Sequence, residues 1–173
     1  MLDLDLCDDL AVLLAYPRAD FRVRLESCLA RAERDHSDTA GHLFRFAKAV
    51  DGLSIEQLQE QYTATFDVNP PASLEVGWHL YGENYDRGAF MVRMREALAA
   101  AGVEESSELP DHLTHLISLV GRLDVKAATT LTVESIRPAL DKMVAGLEPS
   151  KSPFLPLLSA TRTALDELVG EPV

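Results

Sequence analysis

Apolar positions recur along the chain at three- and four-residue steps with polar positions between them. That spacing turns one face of an α-helix toward a core. Leu6, Leu10, Leu13 and Leu14 share such a face, and Pro17 ends the run because proline has no N–H to give an interior turn. Asp20 is placed to cap a second helix with Phe21, Leu25, Leu29 and Ala32 inward. A third follows Asp38 and aligns Leu43, Phe46, Ala47 and Val50. Ser54 and Gln57 have capping-box spacing and open a fourth helix carrying Ile55, Leu58, Tyr62 and Phe66, closed by Asn69-Pro70-Pro71.

Further along, Met91, Met94, Leu98 and Ala101 repeat until Gly102 stops the helix. Leu113, Leu116, Ile117 and Val120 mark the next, and Val133, Ile136, Leu140, Met143 and Leu147 another. Pro138 fits that helix only in its first turn, where a missing N–H is harmless. Ser152-Pro153 reads as a cap followed by proline at the first helical position, opening a last helix through Leu157, Leu158, Leu165 and Val169. Strict two-residue alternation over a strand length is absent. The expected fold is all-α, a single-domain bundle of about seven to nine helices spanning residues 1–173. Residues 102–108 and 147–152 read as surface loops within it.

Composition narrows the function. The chain has 173 residues, 47% hydrophobic and 25% charged, which is ordinary for a globular protein with a sizeable core. Its net charge of −12 disfavours a nucleic-acid backbone and favours a basic peptide or a basic protein face. No apolar run approaches the roughly 20 residues that span a bilayer. The acidic start, MLDLDLCDDL, lacks the basic leader of a secretory signal. Cys7 and Cys28 fall in separate helices and read as reduced packing residues, so the expected setting is cytoplasmic without stable membrane association.

Candidate chemistry is sparse. His112 and His115, three apart, project from one helix face and would need a further acidic or histidine ligand to make a metal-dependent enzyme. Glu33-x-x-His36 is half of a di-iron motif whose second copy is missing, and HExxH does not occur. Ser73 and Ser118 have no nucleophile elbow, and no glycine run forms a phosphate cradle. Asp111, just before the run beginning at Leu113, suits a helix N-cap. The expectation is a non-enzyme with no cofactor and no metal.

Recognition is better supported than catalysis. Tyr62, Phe66, Trp78, Tyr81, Tyr85 and Phe90 place six of the eleven aromatic residues within thirty positions. Trp78 and Tyr81, in a Gly-flanked segment, combine a large apolar body with a polar tip and suit a groove wall. Met91 and Met94 could supply an adaptable surface for a helical ligand.

The stretch 62–88 (YTATFDVNPPASLEVGWHLYGENYDRG) and the phrase 108–113 (ELPDHL) carry a resemblance. Tyr62-x-x-x-Phe66-Asp67, Ser73-Leu74, Tyr81-Gly82-Glu83 and Asp86-Arg87-Gly88, followed by Leu109-Pro110-Asp111-His112-Leu113, resemble the NarJ-type nitrate reductase assembly chaperones. These belong to the wider TorD-like family of molybdoenzyme maturation chaperones. Fainter echoes are Leu13-Leu14-Ala15-Tyr16-Pro17 and Ser152-Pro153-Phe154 with Pro156-Leu157-Leu158.

The resemblance implies a TorD-like helical bundle that binds the N-terminal peptide of a molybdoenzyme catalytic subunit, in the nitrate reductase case as a short amphipathic helix. It would hold the apo-subunit until the molybdenum cofactor is inserted, without turnover. Carried over residue by residue, the implied peptide-binding positions are Tyr62, Phe66, Tyr81, Glu83, Asp86, Arg87, Pro110, Asp111 and His112. Trp78 joins them as a groove candidate, and Tyr62 and Phe66 have the alternative of supporting the groove from beneath. A twin-arginine signal peptide as client, and a His-ligated metal enzyme, are the alternative readings.

Overall fold

The computed structural model describes residues 2–170. Among them the helices are α1 (Leu4–Leu14), α2 (Phe21–Asp35), α3 (Ser37–Ala49), α4 (Ile55–Tyr62), α5 (Val76–Tyr81), α6 (Tyr85–Ala101), α7 (Leu113–Val120), α8 (Val125–Leu131), α9 (Arg137–Leu147) and α10 (Leu155–Val169). A π turn, Thr132–Ile136, joins α8 to α9 without a break, so the described chain forms nine helices and no strand, the all-α bundle its periodicity predicts. No described helix is long and apolar enough to cross a membrane.

Helix α1 lies at the centre. Leu6, Cys7, Leu10, Leu13 and Leu14 are fully buried, packed between α2 on one side and α7 on the other. Helix α3 packs on α2 and α10, α10 reaches α9, and α9 in turn supports α5 and the short 3-10 turn Pro70–Ala72. Phe21, Phe46, Tyr62, Phe66 and Phe154 meet in a chain of edge-on and tilted contacts with ring centroids 5.0–6.0 Å apart, the geometry aromatic quadrupoles favour. Cys7 and Cys28 are buried free thiols, and burial pushes both up to about 12, which keeps them protonated and unreactive.

Several local expectations hold. Ser54 Oγ accepts the Gln57 N–H while the Gln57 side chain accepts the Ser54 N–H, a complete capping box. Gly102 ends α6 in the left-handed region at φ 75°, where glycine carries no Cβ penalty.

Others are corrected. Asp20 occupies the cap position of α2 but its side chain makes no cap hydrogen bond, and α3 begins at Ser37, putting Asp38 inside its first turn. Helix α10 begins at Leu155, not Pro153; the turn before it is held by the Ser152 hydroxyl, which accepts the Phe154 N–H. Met91 and Met94 are only half-buried, and α6 anchors itself through Phe90 and Leu98.

Pro138 lies in the first turn of α9, where its missing N–H is harmless. It sits within a continuous run over 125–147, and the Arg137 N–H reaches back five residues to the Thr132 carbonyl. That extra residue in the turn relieves the collision between a proline ring and the preceding turn. A second π turn, Thr63–Asp67, continues α4. It buries Thr65 against the Ser152 hydroxyl at 2.8 Å and sets Phe66 on Phe154 at 5.5 Å.

Candidate functional site

The two sequence landmarks are physically one unit. Residues 74–76 and 111–113 pair as a short antiparallel bridge: Val76 N–H donates to the Asp111 carbonyl at 2.9 Å, and Leu113 N–H to the Leu74 carbonyl at 2.7 Å. Leu74, Val76 and Leu113 are buried, so their side chains pin the bridge to the core. Asp111 is not the N-cap of α7; His112 takes that place, its ring accepting the Thr114 N–H. The Asp111 carboxylate instead turns back across the bridge, fully buried. It accepts the Gly77 N–H at 3.0 Å and the Arg87 Nε–H at 3.2 Å.

Burying a carboxylate is costly unless donors replace its water, and the backbone of α5 and the guanidinium of α6 supply them. Arg87 also donates to Glu75 at 3.0 Å. Burial alone would lower the Arg87 pKa, and its two carboxylate partners outweigh that and raise it. Gly77 is required by closeness: a Cβ there would lie 2.5 Å from the Asp111 Oδ2.

Above this platform opens a cleft of about 290 Å³, walled by Phe66, Pro70 and Trp78. The Trp78 Nε1–H donates to the Pro70 carbonyl at 3.3 Å. Four carboxylates face the cleft, those of Asp67, Glu75, Glu83 and Glu108, with Arg87 and His112 between them. Burial raises the pKa of Asp67. Glu108 is raised by burial and then by the charges of Asp67 and Glu75. Burial, helped by neighbouring His115, pushes His112 down to about 4, so at neutral pH its ring is uncharged.

A second, more apolar groove of about 580 Å³ runs between α6 and α8. Tyr81, Phe90, Met94 and Leu131 form its floor, and Arg93, Lys126, Asp124 and Glu134 stand along its edges. Tyr81 packs on Phe90 at 5.6 Å. Helix α6 buries only Phe90 and Leu98 of its 17 residues.

The ten residues singled out from sequence therefore divide. Phe66, Trp78, Glu83, Arg87 and His112 line the acidic cleft, while Tyr81 belongs to the apolar groove. Tyr62 is core: its ring contacts Phe66 and Phe154, and its hydroxyl donates to the Leu14 carbonyl at 2.8 Å. Pro110 and Asp111 lie buried beneath the cleft, and Asp86 is exposed in the first turn of α6. Sequence reasoning did not single out Asp67, Glu75 and Glu108 in the cleft, or Leu131 in the groove. Asp67 and Glu108 were inside the two motif phrases, but nothing local marks them as facing one cleft.

The histidine pair is occupied otherwise than by a metal arrangement. His115 Nδ1–H donates to the Leu109 carbonyl at 2.9 Å, and its Nε2 accepts the Ser106 N–H at 2.9 Å. Among the described residues, no three His, Cys, Asp or Glu side chains are grouped so as to hold an ion.

Comparison with known proteins places the chain in a family. The family model described as the nitrate reductase delta subunit matches residues 32–160. The nitrate reductase molybdenum cofactor assembly chaperones NarJ of Escherichia coli K12 and of Escherichia coli O157:H7 are each 28% identical over 162 residues, covering 89% of this chain and 68% of theirs. The matched span holds both landmarks, the cleft and the groove, and the chain belongs to the nitrate reductase delta subunit family.

Proposed function

We propose that this protein is a molybdenum cofactor assembly chaperone for the catalytic subunit of a nitrate reductase, acting in the cytoplasm by binding that subunit's N-terminal segment without turnover. The segment lies as a short amphipathic helix with its apolar face in the groove between α6 and α8. The observation that carries this is the open floor of Tyr81, Phe90, Met94 and Leu131 in a chain of net charge −12 whose relatives are assembly chaperones.

The groove falls within the ligand-pocket size class of roughly 300–1,000 Å³. Each apolar client side chain buried there contributes about 1.5–3 kcal/mol before entropic losses. Three such side chains contribute about 4.5–9 kcal/mol, so micromolar affinity, about −8 kcal/mol net, also draws on polar contacts along the groove edges. The net charge of −12 hastens the approach of a basic segment.

The test is isothermal titration with synthetic 20-residue N-terminal peptides of the molybdoenzyme catalytic subunits of the same genome. The expected result is saturable micromolar binding to a nitrate reductase peptide with a negative heat-capacity change, weakened at least tenfold by Leu131→Glu. Folded protein that binds none of the peptides overturns the reading.

A further inference from the structure

Away from the cleft and the groove, one side-chain cluster ties together parts of the chain that are far apart in sequence. The His36 ring, at the joint between α2 and α3, has a carboxylate at each of its nitrogens. Its Nε2 lies 3.0 Å from the Asp3 Oδ2, and its Nδ1 lies 3.2 Å from the Glu167 Oε2. Asp3 caps the start of α1, and Glu167 stands in the last turn of α10. The far oxygens are engaged too. Asp3 Oδ1 accepts the Leu6 N–H at 3.0 Å. Glu167 Oε1 accepts the Thr39 N–H at 3.1 Å and the Thr39 hydroxyl at 3.0 Å.

A neutral imidazole has one N–H and one bare lone pair, whereas an imidazolium donates from both nitrogens. Set between two carboxylates, a ring with a single proton would turn one lone pair against an oxygen. Two such contacts on one ring are therefore the imidazolium arrangement. We propose that His36 is a proton-operated clasp: with two protons on its ring it holds the start of α1 and the end of α10 to the α2–α3 joint, and it opens on one side when a proton leaves.

The clasp acts where apolar packing is thin. Helix α10 packs mainly on α3 and α9 and touches α1 only lightly. The His36 side chain is 12% exposed, so its ion pairs are partly shielded while a proton can still come and go. Burial would raise the Asp3 carboxyl, but the Leu6 N–H and His36 outweigh it and hold it below its ordinary range. Of the other charges near the ring, Arg31 of α2 also acts on Asp3 and is itself paired with Asp5 and Asp9. Asp35 and Asp38 flank the joint and are exposed, and Asp166, beside Glu167, is paired with Arg137. The two carboxylates lie against opposite nitrogens, and among the described residues no such group is placed to hold an ion. The sign is the reverse of that for the buried neutral ring of His112: the clasp is complete on the acid side and weakens as pH rises.

Two amides report on it directly. Thr39 and Leu6 lie in the first turns of α3 and α1, where an N–H has no acceptor within its own helix. Their acceptors are the Glu167 and Asp3 carboxylates. The experiment follows hydrogen exchange of the folded full chain by NMR at about pH 5.5 and about pH 8.5, either side of the range in which histidine changes charge. Rates are corrected for the intrinsic base-catalysed exchange, and the nitrogen-15 spectrum of the His36 ring is recorded in the same samples.

The expected result is two slowly exchanging ring N–H protons on His36 at the lower pH. At the higher pH, protection of at least one of the two amides should fall about fivefold, in line with loss of a charge-assisted hydrogen bond, while the core amide of Leu43 keeps its protection. His36→Gln, uncharged and unable to titrate, should show the weaker protection at both pH values. A ring with a single N–H at the lower pH overturns the clasp. So does protection of both amides that is equal at the two pH values, or a pH dependence that persists unchanged in His36→Gln. Should that variant fail to fold, the ring spectrum and the amide pair of the wild type still decide.

Discussion

Asp111 is the residue whose removal the structure makes most consequential. It is fully buried, and Asp111→Ala takes a partner from the Gly77 N–H and from the Arg87 guanidinium together. A buried donor left without an acceptor costs about 1–3 kcal/mol. Removing one partner of a buried ion pair costs roughly 3–5 kcal/mol. Arg87 keeps Glu75 at 3.0 Å and its side chain retains 15% exposure, so its loss falls below that range to about 2 kcal/mol, and with about 1–3 kcal/mol for the Gly77 N–H the total is about 3–5 kcal/mol.

Against a typical stability of 5–15 kcal/mol that is a large share. With an m-value near 2 kcal/mol/M it moves the urea midpoint by about 1.5–2.5 M. The assay is urea unfolding followed by circular dichroism for wild type, Asp111→Ala, Arg87→Ala and the double variant. Arg87→Ala strands the same carboxylate, so the double variant should be less unstable than the sum of the singles by at least about 1.5 kcal/mol. Additivity within about 0.5 kcal/mol, or a cost below about 1 kcal/mol for Asp111→Ala, would refute the account of the bridge.

Two further outcomes follow from the same region. Gly77→Ala drives a methyl group to within 2.5 Å of the Asp111 Oδ2 and 3.0 Å of the Phe90 ring. It should cost about 1–3 kcal/mol by urea unfolding, and unchanged stability would show that the α5 start can shift freely. His112 titrates near 6.5 when unfolded and at about 4 when folded. The unfolded chain therefore takes up the proton first, and stability falls as pH drops from about 6.5 to about 4, by up to about 3 kcal/mol. The raised Asp67 and Glu108 act the other way, adding stability as pH falls through the carboxylate range. His112→Asn, which keeps a cap acceptor, should flatten the slope between pH 4 and 6.5, and an unaltered slope counts against the buried neutral ring.

Helix existence was readable because each helix carries its own evidence: a buried stripe, a cap, a glycine or a proline within a few residues. What escaped was non-local or weakly patterned. Helix α8, VKAATTL, buries only Ala128 among its seven residues, too little to imprint a period. Pro138 marks the first turn of α9 as it reads locally, but the π turn that runs α8 into α9 carries no local signal. Asp111 reads as a cap because a cap partner would be near in sequence. Its real partners are 34 and 24 residues away, and no local rule ranks a distant guanidinium above an adjacent N–H. The cleft escaped for the same reason: Asp67 ends one helix and Glu108 sits in a loop, and only the bridge between 74–76 and 111–113 brings them to one opening.

The division between platform and wall changes how mutational loss of client binding must be interpreted. Tyr62, Pro110 and Asp111 are buried and touch no open surface of the cleft, so substitutions there act through the position of α5 and α6. They should lower stability and binding together. Asp67, Glu83 and Glu108 are exposed carboxylates with few or no internal partners, and substitutions there should leave the fold intact. Arg87 belongs to both groups, since it closes the platform through Asp111 while its guanidinium lines the cleft beside Glu75. A loss of binding in an Arg87 variant is therefore informative only beside its unfolding curve.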